Sequence, residues 1–241
     1  MKKISCVIPV FNEEGQVAAV LDVILEVQQK TSMEIIVVND GSCDMTPAIL
    51  NKYKDNIQII THKQNKGKSC AVASGLKASK GEYILLVDAD LIGLTAKNIF
   101  DLLSPVQRDV AEVTMSIRKN SYPHTRMIKL DFLTGERVFP RNLITNHIDE
   151  IKKLPSFALE VFLNNLVIQH GYSIRNIYWK NVSNHYKYRK RGLYTGLKAD
   201  SLLIYDIAKV MPAKGWLQQN IALKRLSIEA SPELEDGYSL S

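Results

Sequence analysis

Apolar and polar positions change period several times along this chain. Residues 3–10 form a short, β-branched run bounded by Pro9 and Asn12, which predicts a strand. In residues 14–29, Val17, Val20, Leu21, Ile24 and Leu25 recur at helical spacing. The alternation then repeats, with strands predicted at 34–38, 57–60 and 83–87 and helices at 46–53 and 69–79 between them. Past Asp90 the rhythm loosens. Residues 96–103 predict a helix, 110–117 an alternating strand and 120–124 a loop, while 127–133 are short and mixed. A helix at 157–169, a strand at 172–179 and helices at 193–210 and 216–226 follow. Residues 229–241 are acidic and Ser-rich and predict a frayed tail.

Regular strand–helix alternation predicts βαβ units, hence an α/β fold: a Rossmann-like three-layer sandwich with a mostly parallel central sheet. Polar residues collect directly after the strands, and Pro9, Asn12, Asp40, Asn65 and Asp88 fall there. In an open α/β sheet that edge is where ligands bind.

The 241 residues suffice for one domain or two intimately packed halves. No apolar run approaches the ~18 residues of a membrane span. The N-terminus has a basic start and a short apolar run that ends at Asn12-Glu13-Glu14, which fits cytoplasmic retention better than a signal peptide. Cys6, Cys43 and Cys70 lie far apart without metal-ligand spacing to histidines, so no disulfide is expected. The formal net charge of +6 favours anionic partners: nucleotides, phosphorylated substrates, lipid head groups or nucleic acid.

Asp88-Ala89-Asp90 is the sharpest local feature, because an apolar strand gives way to two carboxylates. If the strand continues, both lie on one face and can meet one divalent cation. A turn or cap is the other reading. Asn39-Asp40-Gly41-Ser42 reads both as a turn with a helix cap and as a ligand edge. Glu13 suits a ribose contact or the N-terminal charge of a helix. Asn65-Lys66-Gly67-Lys68-Ser69 offers a tight backbone and a cation for phosphate, but His62 stands where a P-loop needs its first glycine. Arg137 and Arg141, four apart, fit one helical face and an acceptor phosphate, or simply a solvated surface. Glu160, inside an apolar helix, is a candidate base or a solvent-facing charge. His185, before the basic run Lys187–Arg191, is a candidate third metal ligand. No basic recognition helix or aromatic–basic motif points to nucleic acid.

Several of these motifs occur in a telling order: Val7-Ile8-Pro9-Val10-Phe11-Asn12-Glu13, Ile36-Val37-Val38-Asn39-Asp40-Gly41-Ser42, Asn65-Lys66-Gly67-Lys68 with Gly75, and Asp88-Ala89-Asp90. Together they resemble the family 2 inverting glycosyltransferases of GT-A fold. That resemblance implies donor binding by Pro9, Asn12, Glu13, Asp40, Lys68, Asp88 and Ala89. It also implies a Mg²⁺ or Mn²⁺ ion on Asp90, with Asp88 nearer the ribose or sugar. Thr134-Gly135-Glu136-Arg137-Val138-Phe139-Pro140-Arg141 resembles two subgroups, the polyprenyl- or dolichyl-phosphate sugar synthases and the glucosyl-3-phosphoglycerate synthase-like enzymes. Gly135, Glu136, Arg137 and Arg141 would then bind the acceptor, and His185 would join Asp90 on the metal.

The chain is accordingly expected to move sugar from a UDP- or GDP-linked donor to a phosphorylated, hydroxyl or polyprenyl-phosphate acceptor. Residues 1–120 would serve the nucleotide sugar and 121–228 the acceptor. Lys187–Arg191 and the tyrosines beside it suggest an anionic membrane surface as a partner. A non-catalytic nucleotide-binding module and a nucleotidyltransferase are the competing readings.

Overall fold

In the computed structural model, residues 1–121, 130–155, 158–184 and 213–228 are described. Strand β1 (Ile4–Val10) is buried along almost its whole length, as a strand covered on both faces must be. It pairs in parallel with β2 (Glu34–Asn39) and β4 (Tyr83–Leu86), and β2 pairs in parallel with β3 (Gln58–Thr61). Beyond β4 lie β7 (Arg137–Pro140), β6 (Val113–Arg118) and β8 (Ile174–Trp179). The seven-stranded order is β3-β2-β1-β4-β7-β6-β8. A separate two-stranded ladder joins β5 (Leu91–Ile92) to β9 (Ser183–Asn184).

The sheet departs from the sequence expectation at β7, which is antiparallel to both β4 and β6. The strand comes from the second half of the chain, yet it sits between two strands of the first. One continuous sheet therefore crosses residue 120.

Helices cover both faces. Helices α1 (Val17–Gln29), α2 (Thr46–Asn51) and α4 (Ala96–Gln107) share one core with the sheet. Helix α4 runs through Pro105 and ends four residues later than its pattern predicts; Thr95 caps its start through a reciprocal box with Asn98. On the other face lie α3 (Lys68–Ala78), α5 (Ile148–Ile151), α6 (Ala158–His170) and α7 (Ala213–Leu226). The small residues of α3 have a packing reason. A Cβ added to Gly75 would stand 2.4 Å from Val7 Cγ1, so α3 lies hard against β1. That close approach brings the start of α3, with Lys68, to the carboxyl edge of the parallel strands.

A buried polar network fixes α6 and α7 together. Gln219 donates to Val161 O (3.0 Å) and Asn165 Oδ1 (2.7 Å), and Asn164 donates to Phe132 O (2.8 Å). Among the described residues no helix is long and apolar enough to cross a membrane. Cys6 and Cys70 are buried and Cys43 is exposed, all three as free thiols.

Candidate functional site

The carboxyl ends of β1, β2 and β4 meet at one edge. After β1 the chain turns through Asn12 at φ 53°. The Asn12 amide donates to Ser42 Oγ (3.0 Å), and Asn12 Oδ1 accepts from Cys43 N (2.9 Å). The Glu13 amide donates to Thr46 Oγ1 (2.9 Å). Side-chain bonds thus stitch the loop after β1 to the loop after β2. Gly41, at φ 72°, seats the second loop: a Cβ there would lie 2.5 Å from the Gln64 carbonyl carbon.

Asp40 is 2 % exposed, and its carboxylate faces the protein. Oδ1 accepts from Lys66 N (3.0 Å) and contacts His62 Nδ1 (2.6 Å), while Oδ2 accepts from Gly67 N (2.8 Å). Asp40 thereby anchors the turn that starts α3.

Lys68 follows that turn. Its Nζ lies 2.8 Å from Asp88 Oδ1 and 2.9 Å from Glu160 Oε1. Burial opposes the ammonium charge, but the two carboxylates outweigh it and push the Lys68 pKa up. Glu160, read from sequence as a candidate base or a solvent-facing charge, is buried and ion-paired. Pro9, Val72, Leu86, Gly135, Leu159 and Leu163 line a narrow, largely apolar cleft beside this pair.

The Asp88–Asp90 segment departs from the expected strand continuation. β4 stops at Leu86, and Ala89 and Asp90 lie in a turn leading to β5. Ala89 is buried in the core beside α1 and α4, so its side chain is not available to a donor. Asp90 is a pKa-shifted acid, raised from 3.8 to about 6. Burial is the main cause, and the charges of Asp88, Glu13 and Glu136 add to it against an opposing Arg118. Such a concentration of carboxylate charge suits a hard divalent cation that takes one or two carboxylates and completes its shell with phosphate oxygens. Among the described residues no three His, Cys, Asp or Glu groups form a metal cluster by themselves. His185 lies outside the described residues. Its neighbour Asn184 pairs with Leu91, the neighbour of Asp90.

Two acceptor assignments require correction. Glu136 is fully buried. Its Oε1 accepts from Arg118 Nη1 (3.0 Å), and its Oε2 accepts from Ser116 Oγ (2.7 Å) and Thr134 Oγ1 (2.9 Å). Its influence on the site runs through its bond to Arg118 and its charge on Asp90. Arg137 and Arg141 share no helical face, because Arg137 begins β7, paired with Leu86, and Arg141 follows its end. Four strand residues separate them by about 13 Å. The Arg141 amide donates to Glu82 O (2.8 Å), at the opposite edge of the sheet from Asp88. Arg137 itself is 1 % exposed, donating to Asn164 Oδ1 (3.0 Å) and to Thr134 O; burial lowers its pKa.

Gly135 does sit at the site. A Cβ there would lie 2.4 Å from Asp88 Oδ2 and 2.8 Å from Asp88 Cγ. Gly135→Ala should therefore displace the Asp88 carboxylate and reduce turnover about tenfold through misplacement alone. Reduced turnover with the cooperative melt retained is the expected measurement, and unchanged turnover would show that the placement of the Asp88 carboxylate does not limit transfer. Sequence reasoning missed Arg118, the cation that faces Asp88 and Asp90 from the end of β6. Its position just after a strand, the signal that exposed Asp88, was the available clue.

The family model described as Glycosyl transferase family 2 matches residues 5–165, more than half of the chain. The chain belongs to glycosyl transferase family 2. Related sequences include the dolichyl-phosphate beta-glucosyltransferase of Dictyostelium discoideum, 31 % identical over 153 residues, 58 % of this chain and 45 % of that protein. The Homo sapiens protein of the same name is 37 % identical over 101 residues, 37 % of this chain and 31 % of that protein. The chain thus spans less than half the length of these relatives. Among solved structures, glucosyl-3-phosphoglycerate synthase from Mycobacterium tuberculosis, in complex with Mn²⁺, UDP-glucose and phosphoglyceric acid, superposes with a TM-score of 0.67. Identity there is 20 %, over 87 % of this chain and 79 % of that one. The GT-A-like α/β fold expected for a family 2 chain is the fold observed.

Proposed function

We propose that this family 2 chain transfers a sugar, with inversion, from a UDP- or GDP-linked donor to a phosphate-bearing acceptor. The observation that carries this reading is the charge pattern at the carboxyl edge, where Asp88 and Asp90 stand between two cations, Lys68 and Arg118. A diphosphate needs cations there, and a divalent ion needs carboxylates. Asp90, with His185, would hold Mg²⁺ or Mn²⁺, which would offset the charge of the departing diphosphate.

Lys68, at the start of α3, would meet the same diphosphate. The acceptor oxygen attacks the anomeric carbon opposite the leaving group. One C–O bond forms as the other breaks, and the nucleoside diphosphate leaves with the electron pair. A hydroxyl acceptor would yield its proton to Glu160, whereas a phosphate acceptor is already anionic. Pro9, Asn12 and Glu13 would line the wall on which the nucleoside rests, whereas Asp40, its carboxylate turned into the protein, would support that wall through the Lys66–Gly67 turn. Gly135 lies beside Asp88, where the acceptor would approach.

A small soluble acceptor is the favoured subclass. The solved structure that shares this fold over 87 % of the chain holds phosphoglyceric acid, a small soluble phosphate compound, beside its UDP-glucose. The basic segment Lys187–Arg191, expected to meet a membrane, lies outside the described residues. The test is turnover of UDP-glucose and GDP-linked sugars with Mn²⁺. Soluble phosphorylated acceptors are offered in one arm and polyprenyl phosphate in liposomes in the other. Release of nucleoside diphosphate with a glycosylated acceptor supports the proposal. Release of inorganic diphosphate would instead indicate nucleotidyl transfer, and nucleotide binding without turnover on any acceptor a binding module.

A further inference from the structure

His62 is a buried member of the carboxyl-edge network to which sugar transfer assigns no task. Its Nδ1 lies 2.6 Å from Asp40 Oδ1 and its Nε2 2.9 Å from Ser74 Oγ. The His62 side chain is 9 % exposed and that of Asp40 3 %. An ionised carboxylate only accepts hydrogen bonds, so Nδ1 carries the proton in the contact with Asp40. Nε2 either accepts from the Ser74 hydroxyl or, in the imidazolium, donates to it while Ser74 donates to Cys70 O (3.0 Å). In both arrangements the bond to Asp40 is the same.

The Asp40 carboxylate is thus gripped from two sides. His62 holds it from β3, and the Lys66 and Gly67 amides hold it from the turn before α3. Gly67 occupies φ 91°, so the turn is a shape that few residues adopt and that needs fixing. The next residue is Lys68, whose ammonium stands between Asp88 and Glu160.

We propose that His62 is a positioning residue for donor binding. It fixes the Asp40 carboxylate, and through Asp40 it sets the Lys66–Gly67 turn and the height of Lys68 at the diphosphate position. This inference rests on the reading of the site as a nucleoside diphosphate site.

Three substitutions separate the roles. His62→Asn keeps a donor where Nδ1 stands, His62→Gln moves it out to the Nε2 position, and His62→Leu removes both. Binding of UDP and GDP with Mn²⁺ is measured by calorimetry, and amide hydrogen exchange is followed in the free protein. The Gln and Leu variants should weaken nucleotide binding about tenfold, the worth of one charge-assisted hydrogen bond, and the Asn variant should stay within about threefold of wild type. Exchange at Lys66 and Gly67 should quicken in the Gln and Leu variants while Val72 and Leu76, further along α3, stay protected. With a working acceptor, donor KM should rise and kcat should hold.

Wild-type affinity in the Leu variant, or an Asn variant as weak as Leu, overturns the proposal. So does exchange that quickens along all of α3, which marks a merely structural role. If the wild type binds neither nucleotide, the functional reading fails. Unaltered exchange at Lys66 and Gly67 in the Leu variant would still overturn the positioning role by itself.

Discussion

Asp90→Asn should abolish metal-dependent sugar transfer and at the same time stabilise the free protein. The two effects have one cause. Asp90 is half-buried within the field of Asp88, Glu13 and Glu136, and desolvation together with those charges raises its pKa from 3.8 to about 6. In the folded state it therefore binds a proton more tightly than in the unfolded chain. Between pH 4 and 6 the native state holds more protons, so stability falls as pH rises through that window. At neutral pH the ionised Asp90 costs the native state about 1–3 kcal/mol, and a neutral amide removes that cost. The variant should melt several degrees higher without metal, by about 2–12 °C for a domain of this size. Transfer should fall about 100-fold or more, because the carboxylate that would hold the cation is gone. Nucleotide affinity in Mn²⁺ should drop as pH falls below about 6 in the wild type, where the proton competes with the metal, and should depend less steeply on pH over that range in the variant. Thermal melts, initial rates and calorimetry between pH 5 and 8 check the three statements. A variant that turns over normally at limiting Mn²⁺ would remove Asp90 from the metal.

Why Asp90 was legible and Glu136 was not follows from where their partners lie. Asp88 and Asp90 end a four-residue apolar strand, and that contrast is local, so neighbouring residues suffice to mark the ligand edge. Glu136 stands between Gly135 and Arg137 in a run that reads as charged surface. What buries it is Arg118 and Ser116 on β6, almost twenty residues away in sequence but adjacent through non-local pairing. The same pairing overturned the arginine clamp. A spacing of four keeps one face on a helix and also on a strand, but the strand carries the second arginine about 13 Å away. Only the antiparallel insertion of β7, which no pattern within 137–141 encodes, decides between them. Likewise the helix predicted over 96–103 continues through Pro105 to Gln107, with Leu102, Leu103 and Val106 buried.

Lys68→Met should be the most disruptive single change at the site that leaves the sheet intact. The ammonium is shared between Asp88 and Glu160, at 2.8 and 2.9 Å, and these carboxylates come from opposite halves of the chain. Methionine keeps the length and apolar stem of lysine but leaves both carboxylates without their shared counter-charge. Removing one partner of a buried charge pair costs up to 3–5 kcal/mol, and about 1–3 kcal/mol is expected here because Lys68 and Asp88 retain some solvent. The raised Lys68 pKa fixes the pH range of that contribution. It is fully present below the ordinary 10.5 and is lost only as pH rises beyond it, so wild-type stability from this group is constant from pH 6 to 9. A second substitution distinguishes structure from chemistry. Glu160→Gln added to Lys68→Met removes one of the two stranded charges and should recover at least half of the lost stability. It should recover none of the transfer rate, which falls about 100-fold once the cation placed for the diphosphate is gone. Denaturant melts of the two single variants and the double variant, closed as a cycle, give the coupling between Lys68 and Glu160. If the double variant regains transfer as well as stability, Lys68 is a strut between α3 and α6 and the diphosphate must find its cation in Arg118.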